Sequence, residues 1–328
     1  MHLSDPSASI YIAGHRGMVG SAIWSALESA GYEHIFGRTS SELDLRNQAD
    51  THAFFKAQQP DYVVVAAARV GGILANDQYP ADFLYDNLAI ETNVLRAAQQ
   101  HGVKRLVFLG STCIYPKHAP QPMPEDSLLT GPLEPTNQWY AVAKIAGHKL
   151  CQAFYRQHGS DMVTLMPTNL YGPNDNFDLE TSHVLPALLR KFHEAKGTAP
   201  DGSDAPVTLW GSGTPKREFL YSHDLADAVR FVLETPEDDL REAAYEGMLN
   251  VGVGKDLSIN ELAATIQDVV DHDGPIEHDP SKPDGTPRKL VDTTRMDELG
   301  WSAKTSLHDG IQKTYDWYRE HEEEWVAA

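Results

Sequence analysis

The chain is poor in cysteine: Cys113 and Cys151 are the only two among 328 residues, and they stand far apart. Two cysteines build no disulfide framework, so a reducing cytoplasm is the expected compartment. Long apolar runs are also missing, and none reaches the ~18 residues that a membrane span needs. The opening residues 1–7 lack the apolar core of a signal peptide. Basic residues are scarce: 27 Lys and Arg stand against 47 Asp and Glu, a formal net charge of −20. A nucleic-acid binder presents a basic surface, so that class of partner is not expected. The same charge repels anions at long range, so a phosphate-bearing ligand must meet a local basic pocket. There is no internal repeat, no low-complexity tract and no His/Cys cluster with metal spacing.

What is present is a strand–helix rhythm. Residues 9–13 (SIYIA) read as a buried strand, and residues 21–30 read as a helix. Between them runs Gly14-His15-Arg16-Gly17-Met18-Val19-Gly20. GxxGxxG after a strand and before a helix is a variant of the dinucleotide turn. Glycines let the backbone approach the ligand, and the helix N-terminus faces its pyrophosphate. Residues 34–37 read as the second strand. Its end carries Arg38 and no acid, which favours a ribose 2′-phosphate, hence NADP(H), over a free 2′-hydroxyl. Residues 61–68 read as a third strand, apolar on both faces as a buried parallel sheet requires. A helix is expected over 79–100, a fourth strand over 105–109, a helix over 137–158 and a fifth strand over 163–167. Alternation of this kind implies a doubly wound parallel sheet of the Rossmann type.

Ligands of such sheets bind beyond the carboxyl ends of the strands. That edge nominates Leu109, Gly110 and Ser111 after the fourth strand, and Pro167, Thr168, Asn169 and Leu170 at the end of the fifth. Ser111 can hydrogen-bond a substrate oxygen. Cys113, two residues on, fits a core position and a cleft position equally well; Cys151 reads as core. Tyr140 and Lys144 are four residues apart on a helix, hence on one face. An ammonium beside a phenol favours the phenolate, so the Tyr140 pKa is expected to fall. A tyrosine so poised can exchange a proton with a carbonyl oxygen that receives a hydride. Beyond residue 174 the strict rhythm stops. Helices are expected over 182–196, 224–233, 258–270 (with Ser258 as N-cap) and 307–325, and short strands over 207–210, 218–221 and 248–253. Residues 198–206 read as a polar surface loop, 236–240 as a solvated acidic face and 282–289 as a loop. The expected division is an NADP-binding domain of residues 1–174 plus 222–253 and a substrate-binding lobe of 175–221 plus 254–328.

Together, Gly14/Gly17/Gly20, Ser111, Tyr140 and Lys144 resemble the extended short-chain dehydrogenase/reductases that act on nucleotide sugars. The runs 13–23, 110–116, 137–144, 167–178, 182–190, 210–220 and 282–289 carry a finer resemblance, to the GDP-L-fucose synthases. The resemblance implies NADPH-dependent conversion of GDP-4-keto-6-deoxy-D-mannose to GDP-L-fucose, by 3,5-epimerisation and then 4-keto reduction, in a homodimer formed through the helices 79–100 and 137–158. It implies Cys113 as base and His183 as acid in epimerisation, and Tyr140, Lys144 and Ser111 in reduction. Lys144 and His183 would also touch the cofactor. Lys191, Trp210, Arg217 and Asp284 would hold the substrate. Lys191 stands where these enzymes often have arginine, keeping the charge without the bidentate fork. A UDP-hexose 4-epimerase would share the glycine turn and Tyr140/Lys144 but has no use for Cys113 and His183. A non-catalytic dinucleotide-binding protein would be free to lose Tyr140 or Lys144.

Overall fold

The computed structural model describes residues 2–179, 181–282 and 284–322. The chain runs β1 (Ser9–Ala13), α1 (Met18–Ser29), β2 (His34–Phe36), α2 (Gln48–Gln58), β3 (Tyr62–Val65), α3 (Ile73–Gln78), α4 (Pro80–Gln100), β4 (Arg105–Leu109), α5 (Gln138–His158) and β5 (Met162–Pro167). It continues through β6 (Asn169–Tyr171), α6 (Val184–Ala195), β7 (Val207–Trp210), β8 (Lys216–Arg217), β9 (Phe219–Tyr221), α7 (Ser222–Glu234), α8 (Glu237–Ala243) and β10 (Met248–Val251). β11 (Leu257–Ser258), α9 (Ile259–Val270), β12 (Ile276–Asp279), β13 (Arg288–Lys289), α10 (Thr294–Leu299) and α11 (Leu307–Glu320) complete it.

The large sheet has six parallel strands in the order β10-β5-β4-β3-β1-β2. Side chains alternate between its faces. Ile10, Ile12, Val64, Val107 and Val163 pack with Leu225, Val229 and Val232 of α7 and Ile23 and Leu27 of α1. Tyr11, Val63, Val65, Leu106 and Phe108 pack on the other side with Phe55 of α2, Val94 and Leu95 of α4 and Phe154 of α5. This is the Rossmann-type doubly wound sheet that the alternation implies. From β1 the chain first goes outward to β2 and then crosses back to β3, so the two βα loops diverge between β1 and β3. Ligands of open α/β sheets sit at such a switch point.

A second, smaller core lies beyond the sheet. Leu185, Leu188, Leu189 and Phe192 of α6 meet Val207 and Leu209 of β7, Leu262 and Ile266 of α9, and Ile311, Tyr315 and Tyr318 of α11. Helix α9 begins with a reciprocal cap: Ser258 Oγ accepts from the Glu261 N–H, and the Glu261 carboxylate accepts from the Ser258 N–H. Met296 of α10 and Trp301 pack instead against the core of the large sheet.

Helix α2 has no counterpart in the sequence reading. Its apolar stripe is thin, with only Thr51 and Phe55 buried, and the Asn47 cap accepting from the Ala49 and Asp50 N–H groups marks its start. The acidic stretch after Pro236 is not merely a solvated face: it is the first turn of α8, which Leu240 anchors in the core. Arg288 and Lys289, read as loop, form a strand beside β8. The expected end of the last helix falls partly outside the described residues. Among those described, no helix is long and apolar enough to cross a membrane.

One buried ion pair fixes the edge of the sheet away from the ligand. Arg105 Nε lies 2.6 Å from the Asp161 carboxylate, and Arg105 Nη1 donates to the carbonyls of Val232, Leu233 and Thr235 at the end of α7. Arg241 Nη2 reaches the other Asp161 oxygen at 2.8 Å. Asp161→Asn leaves buried guanidinium charge without its counter-ion, and is expected to lower the unfolding free energy by about 3 kcal/mol in urea titration.

Candidate active site

At the switch point the backbone of β1 passes so close to the chain after β3 that a side chain is impossible. Gly14 has φ +84°, and a Cβ there would lie 2.7 Å from the Ala67 nitrogen. A Cβ on Gly20 would run into the Gly14 carbonyl, so α1 packs tightly under the turn. Gly17 differs: its Cβ would meet only the Gly14 oxygen, at 3.6 Å, and the face above it is open. Gly17 is also the N-cap of α1 and caps with no side chain. The first N–H groups of α1 therefore point, with the positive end of the helix dipole, into open space. That cradle fits a pyrophosphate.

The space belongs to a cleft of about 1160 Å³. Gly14 to Gly20, Arg38, Gly110, Ser111, Cys113, Tyr140, Pro167 to Leu170 and His183 all line it. Arg38 Nη1 donates to the Gly37 carbonyl, its guanidinium is 5.7 Å from the centroid of the Phe54 ring, and it makes no ion pair among the described residues. Leu109 and Lys144 lie one layer behind the wall. Lys144 is 2% exposed, and its Nζ donates to the Leu109 carbonyl at 3.0 Å.

Ser111, two residues past β4, caps the short turn 112–114, its Oγ accepting from the Cys113 N–H at 3.4 Å. This turn carries Cys113 into the cleft wall, where burial pushes its thiol pKa up while the Ser111 hydroxyl, Lys289 and Lys144 pull it down. Cys151 belongs to the core under α5. His183 sits at the N-cap position of α6 without capping it. Its ring is reachable from the cleft lumen, yet the surrounding walls hold its pKa below the ordinary imidazole value. In the resting site both groups are thus neutral, a thiol and an imidazole.

Tyr140 departs from the sequence expectation. Its pKa is raised well above the ordinary phenol value, by burial first and then by Cys113 and Glu91. Lys144 does stand near it, with Nζ 5.6 Å from the Tyr140 ring centroid. The ammonium, however, is 2.9 Å from the fully buried Glu91; burial raises the Glu91 pKa and Lys144 pulls it back, and in its ionised form that carboxylate offsets the ammonium. The expected lowering therefore does not occur in this structure.

The four expected substrate residues stand outside the cleft proper, on the smaller lobe. Lys191 Nζ donates to the Thr208 carbonyl at 3.4 Å and lies 5.6 Å from the centroid of the Trp210 ring; Trp210 is 50% exposed. Lys282 approaches the same ring at 5.1 Å. Asp284 accepts from the Ser212 N–H and Oγ, at 2.9 and 2.8 Å, and so pins the turn after β7. Arg217 on β8 is the register partner of Lys289 on β13, and Lys289 lines the cleft beside Cys113. Lys289 is the link between the lobes, and nothing in its sequence context, an eight-residue loop rich in Pro and Gly, sets it apart. Glu91 was legible in principle: Phe83, Asn87, Glu91, Val94, Leu95 and Ala98 form the buried stripe of α4, and a glutamate there breaks the apolar pattern.

Comparison with known proteins agrees with this geometry. The NAD dependent epimerase/dehydratase family matches residues 10–252. GDP-L-fucose synthase 1 of Arabidopsis thaliana is 54% identical over 318 residues, 96% of this chain and 94% of that protein. GDP-L-fucose synthase of Escherichia coli (strain K12) is 52% identical over 316 residues, 96% and 97% of the two chains. The solved structure of a GDP-L-fucose synthetase from Naegleria fowleri bound to NADP superposes with a TM-score of 0.87 at 29% identity, covering 98% of this chain and 96% of that one. The glycine cradle, the serine–tyrosine–lysine set and the match across 10–252 place this chain in the NAD dependent epimerase/dehydratase family.

Proposed function

We propose that this protein is an NADPH-dependent epimerase and reductase that converts GDP-4-keto-6-deoxy-D-mannose to GDP-L-fucose. The observation that carries the reading is that Cys113 and His183 face the same cleft as Ser111 and Tyr140. The support from relatives is identity of 52–54% to GDP-L-fucose synthases over nearly the whole chain. A 4-ketone acidifies the protons on C3 and C5. Inverting each centre takes a proton from one face and returns one to the other, which calls for two groups. Cys113 and His183 are those groups: one accepts while the other donates. Resting as thiol and imidazole, they share one exchangeable proton, and the thiolate–imidazolium form that sets Cys113 as base and His183 as acid has the same proton count.

When bound in the glycine cradle, NADPH supplies the hydride to C4. Arg16 and Arg38 hold its 2′-phosphate, the first N–H groups of α1 hold its pyrophosphate, and Lys144 reaches its nicotinamide ribose. Ser111 and Tyr140 hydrogen-bond the ketone oxygen, and Tyr140 gives it a proton. Lys191, Trp210, Arg217 and Asp284 serve the GDP moiety, with Lys289 between it and the sugar. We assign residues 1–174 plus 222–253 to the cofactor and 175–221 plus 254–328 to the substrate, although Met296 and Trp301 of the latter pack on the large-sheet core. Two protomers join through α4 and α5, where Tyr85 (70% exposed), Trp139, Val142 and Tyr155 leave apolar surface open. The free thiols of Cys113 and Cys151 suit the cytoplasm.

In deuterated water with GDP-4-keto-6-deoxy-D-mannose and NADPH, NMR of the product is expected to show GDP-L-fucose labelled at C3 and C5; reduction without label would reject the two-group epimerisation. Tyr140→Phe is expected to lose reduction by 10²-fold or more, on the order of a general-acid contribution, while exchange at C3 and C5 continues. His183→Asn is expected to do the reverse. Exchange measured without NADPH reports the shared proton. It fails in acid when His183 takes a second proton, below the ordinary 6.5 because burial lowers that pKa. It fails in base when Cys113 loses its proton, above the ordinary 9.0 because burial raises that one. The expected profile is a plateau wider than those two values on both sides. Arg38→Ala is expected to raise KM for NADPH about tenfold, the scale of one charge-assisted hydrogen bond, and to leave KM for NADH nearly unchanged.

A further inference from the structure

The reduction just proposed needs a proton donor at Tyr140, and the ion pair behind that tyrosine bears on it. Glu91 reaches Lys144 from α4, across the interface with α5, and both side chains are buried, 0% and 2% exposed. Lys144 Nζ is held on three sides: by Glu91 Oε1 at 2.9 Å, by the Leu109 carbonyl at 3.0 Å, and by the face of the Phe108 ring, 4.7 Å from its centroid. Oε1 meets the ammonium as an ion pair, and neither Glu91 oxygen has a well-aligned hydrogen-bond donor among the described residues. The second oxygen lies where α5 has no side chain: a Cβ on Gly147 would come within 2.8 Å of Glu91 Oε2 and would also strike the Phe108 ring. Gly147 is neither in a turn nor at positive φ. Its lack of a side chain makes room for a carboxylate that a packed core would otherwise exclude.

We propose that Glu91 is a positioning residue for the reduction: it fixes the Lys144 ammonium behind Tyr140 and cancels its charge, so that Tyr140 enters the reaction as a phenol with a proton to give. The inference rests on the reading of the site as a ketone reductase. A buried ammonium alone would draw the phenol toward phenolate, which suits oxidation of an alcohol. Paired with a carboxylate, the same ammonium still orients the ribose and the tyrosine without stripping the phenol. The balance is simple: hydride to C4, phenolic proton to O4, and a phenolate that regains a proton from solvent. The other titratable groups facing the pair are Tyr140 and Cys151 on α5, Cys113 on the turn after β4, and Lys289 beyond Cys113.

The test is the pH dependence of reduction in Glu91→Gln, Glu91→Asp and Gly147→Ala, with the C3/C5 exchange followed in the same samples. Glu91→Gln keeps the shape and removes the charge. Its alkaline limb of kcat/KM is expected to move down by at least about one pH unit, the scale of one uncompensated neighbouring charge. Should the ammonium shed its proton instead, the limb still moves down, because the site loses its cation over the same range. Gly147→Ala, which displaces the carboxylate, is expected to shift the limb the same way, and Glu91→Asp to restore part of it. A loss of kcat at every pH with an unmoved limb would mean that Glu91 only fills space, and would overturn the inference. In the wild type with NADPH bound, a ¹³Cζ-tyrosine spectrum assigned by Tyr140→Phe is expected to show the phenol form at pH 7; phenolate there would overturn it even if no Glu91 variant folds. A wild type that neither exchanges nor reduces would reject the functional reading, whereas a wild type that does both beside an unshifted Glu91→Gln rejects only the role of Glu91.

Discussion

The catalytic end of this molecule depends on burying an ion pair between two long helices. Glu91 and Lys144 are taken out of water together, which is tolerable because each charge has the other close by and the ammonium also donates to the Leu109 carbonyl. That requirement reaches outward. It draws α4 and α5 near enough for Gly147 to be needed, turns the Phe108 ring against the ammonium, and fixes the end of β4 through Leu109. Ser111 and Cys113 leave that strand end directly, and Tyr140 stands one turn before Lys144 on α5. Three of the groups assigned to the chemistry therefore inherit their positions from one buried pair.

A second carboxylate organises the other lobe. Glu218, fully buried between β8 and β9, accepts from the Val253, Gly254 and Val291 N–H groups at 2.6, 2.7 and 3.0 Å. It ties the loop after β10 and the chain after β13 to the strand that bears Arg217. Burial raises its pKa, and those three donors pull it back. This tie supports the chain just after Lys289, which the pairing of β13 with β8 places beside Cys113. Backbone N–H groups gathered on one side chain thus add to the apolar contacts that join the lobes, such as Leu220 in one core and its neighbours Phe219 and Tyr221 in the other.

What could be read from the sequence follows the range of the physics involved. β1, β4 and β7 and the capped start of α9 match their expected positions, because an apolar strand in a parallel sheet and a Ser/Glu cap are local signals. The glycine turn was equally plain, since Gly14 and Gly20 answer to backbone contacts at Ala67 and within the turn itself. Pairings between distant segments were not. Tyr140 and Lys144 could be placed on one helix face, but burial raises the Tyr140 pKa first, and the carboxylate that pairs with Lys144 comes from a helix some fifty residues earlier. Lys289 joins the cleft only through its pairing with β8. The resemblance to a family nominated Cys113 and His183; burial, which no spacing reveals, decides that they rest as thiol and imidazole.

The cations in and beside the cleft complete the electrostatic picture. Burial lowers the pKa of Lys191, Arg217 and Lys289, and none of the three makes an ion pair among the described residues. In a chain of net charge −20, carboxylates are plentiful, and these positions are nonetheless left without one. Each cation bears a desolvation cost that a counter-ion would remove. On the proposed reading, the diphosphate of the substrate supplies that counter-ion. The long-range field of the protein repels such a ligand, and partly buried cations held without a counter-ion are the local features that can overcome it. Glu91 shows the opposite choice at Lys144, where the charge is cancelled from within because no ligand phosphate reaches it. On the proposed reading, the cation paired from within is the one assigned to the chemistry, and the cations left without a counter-ion are those assigned to binding.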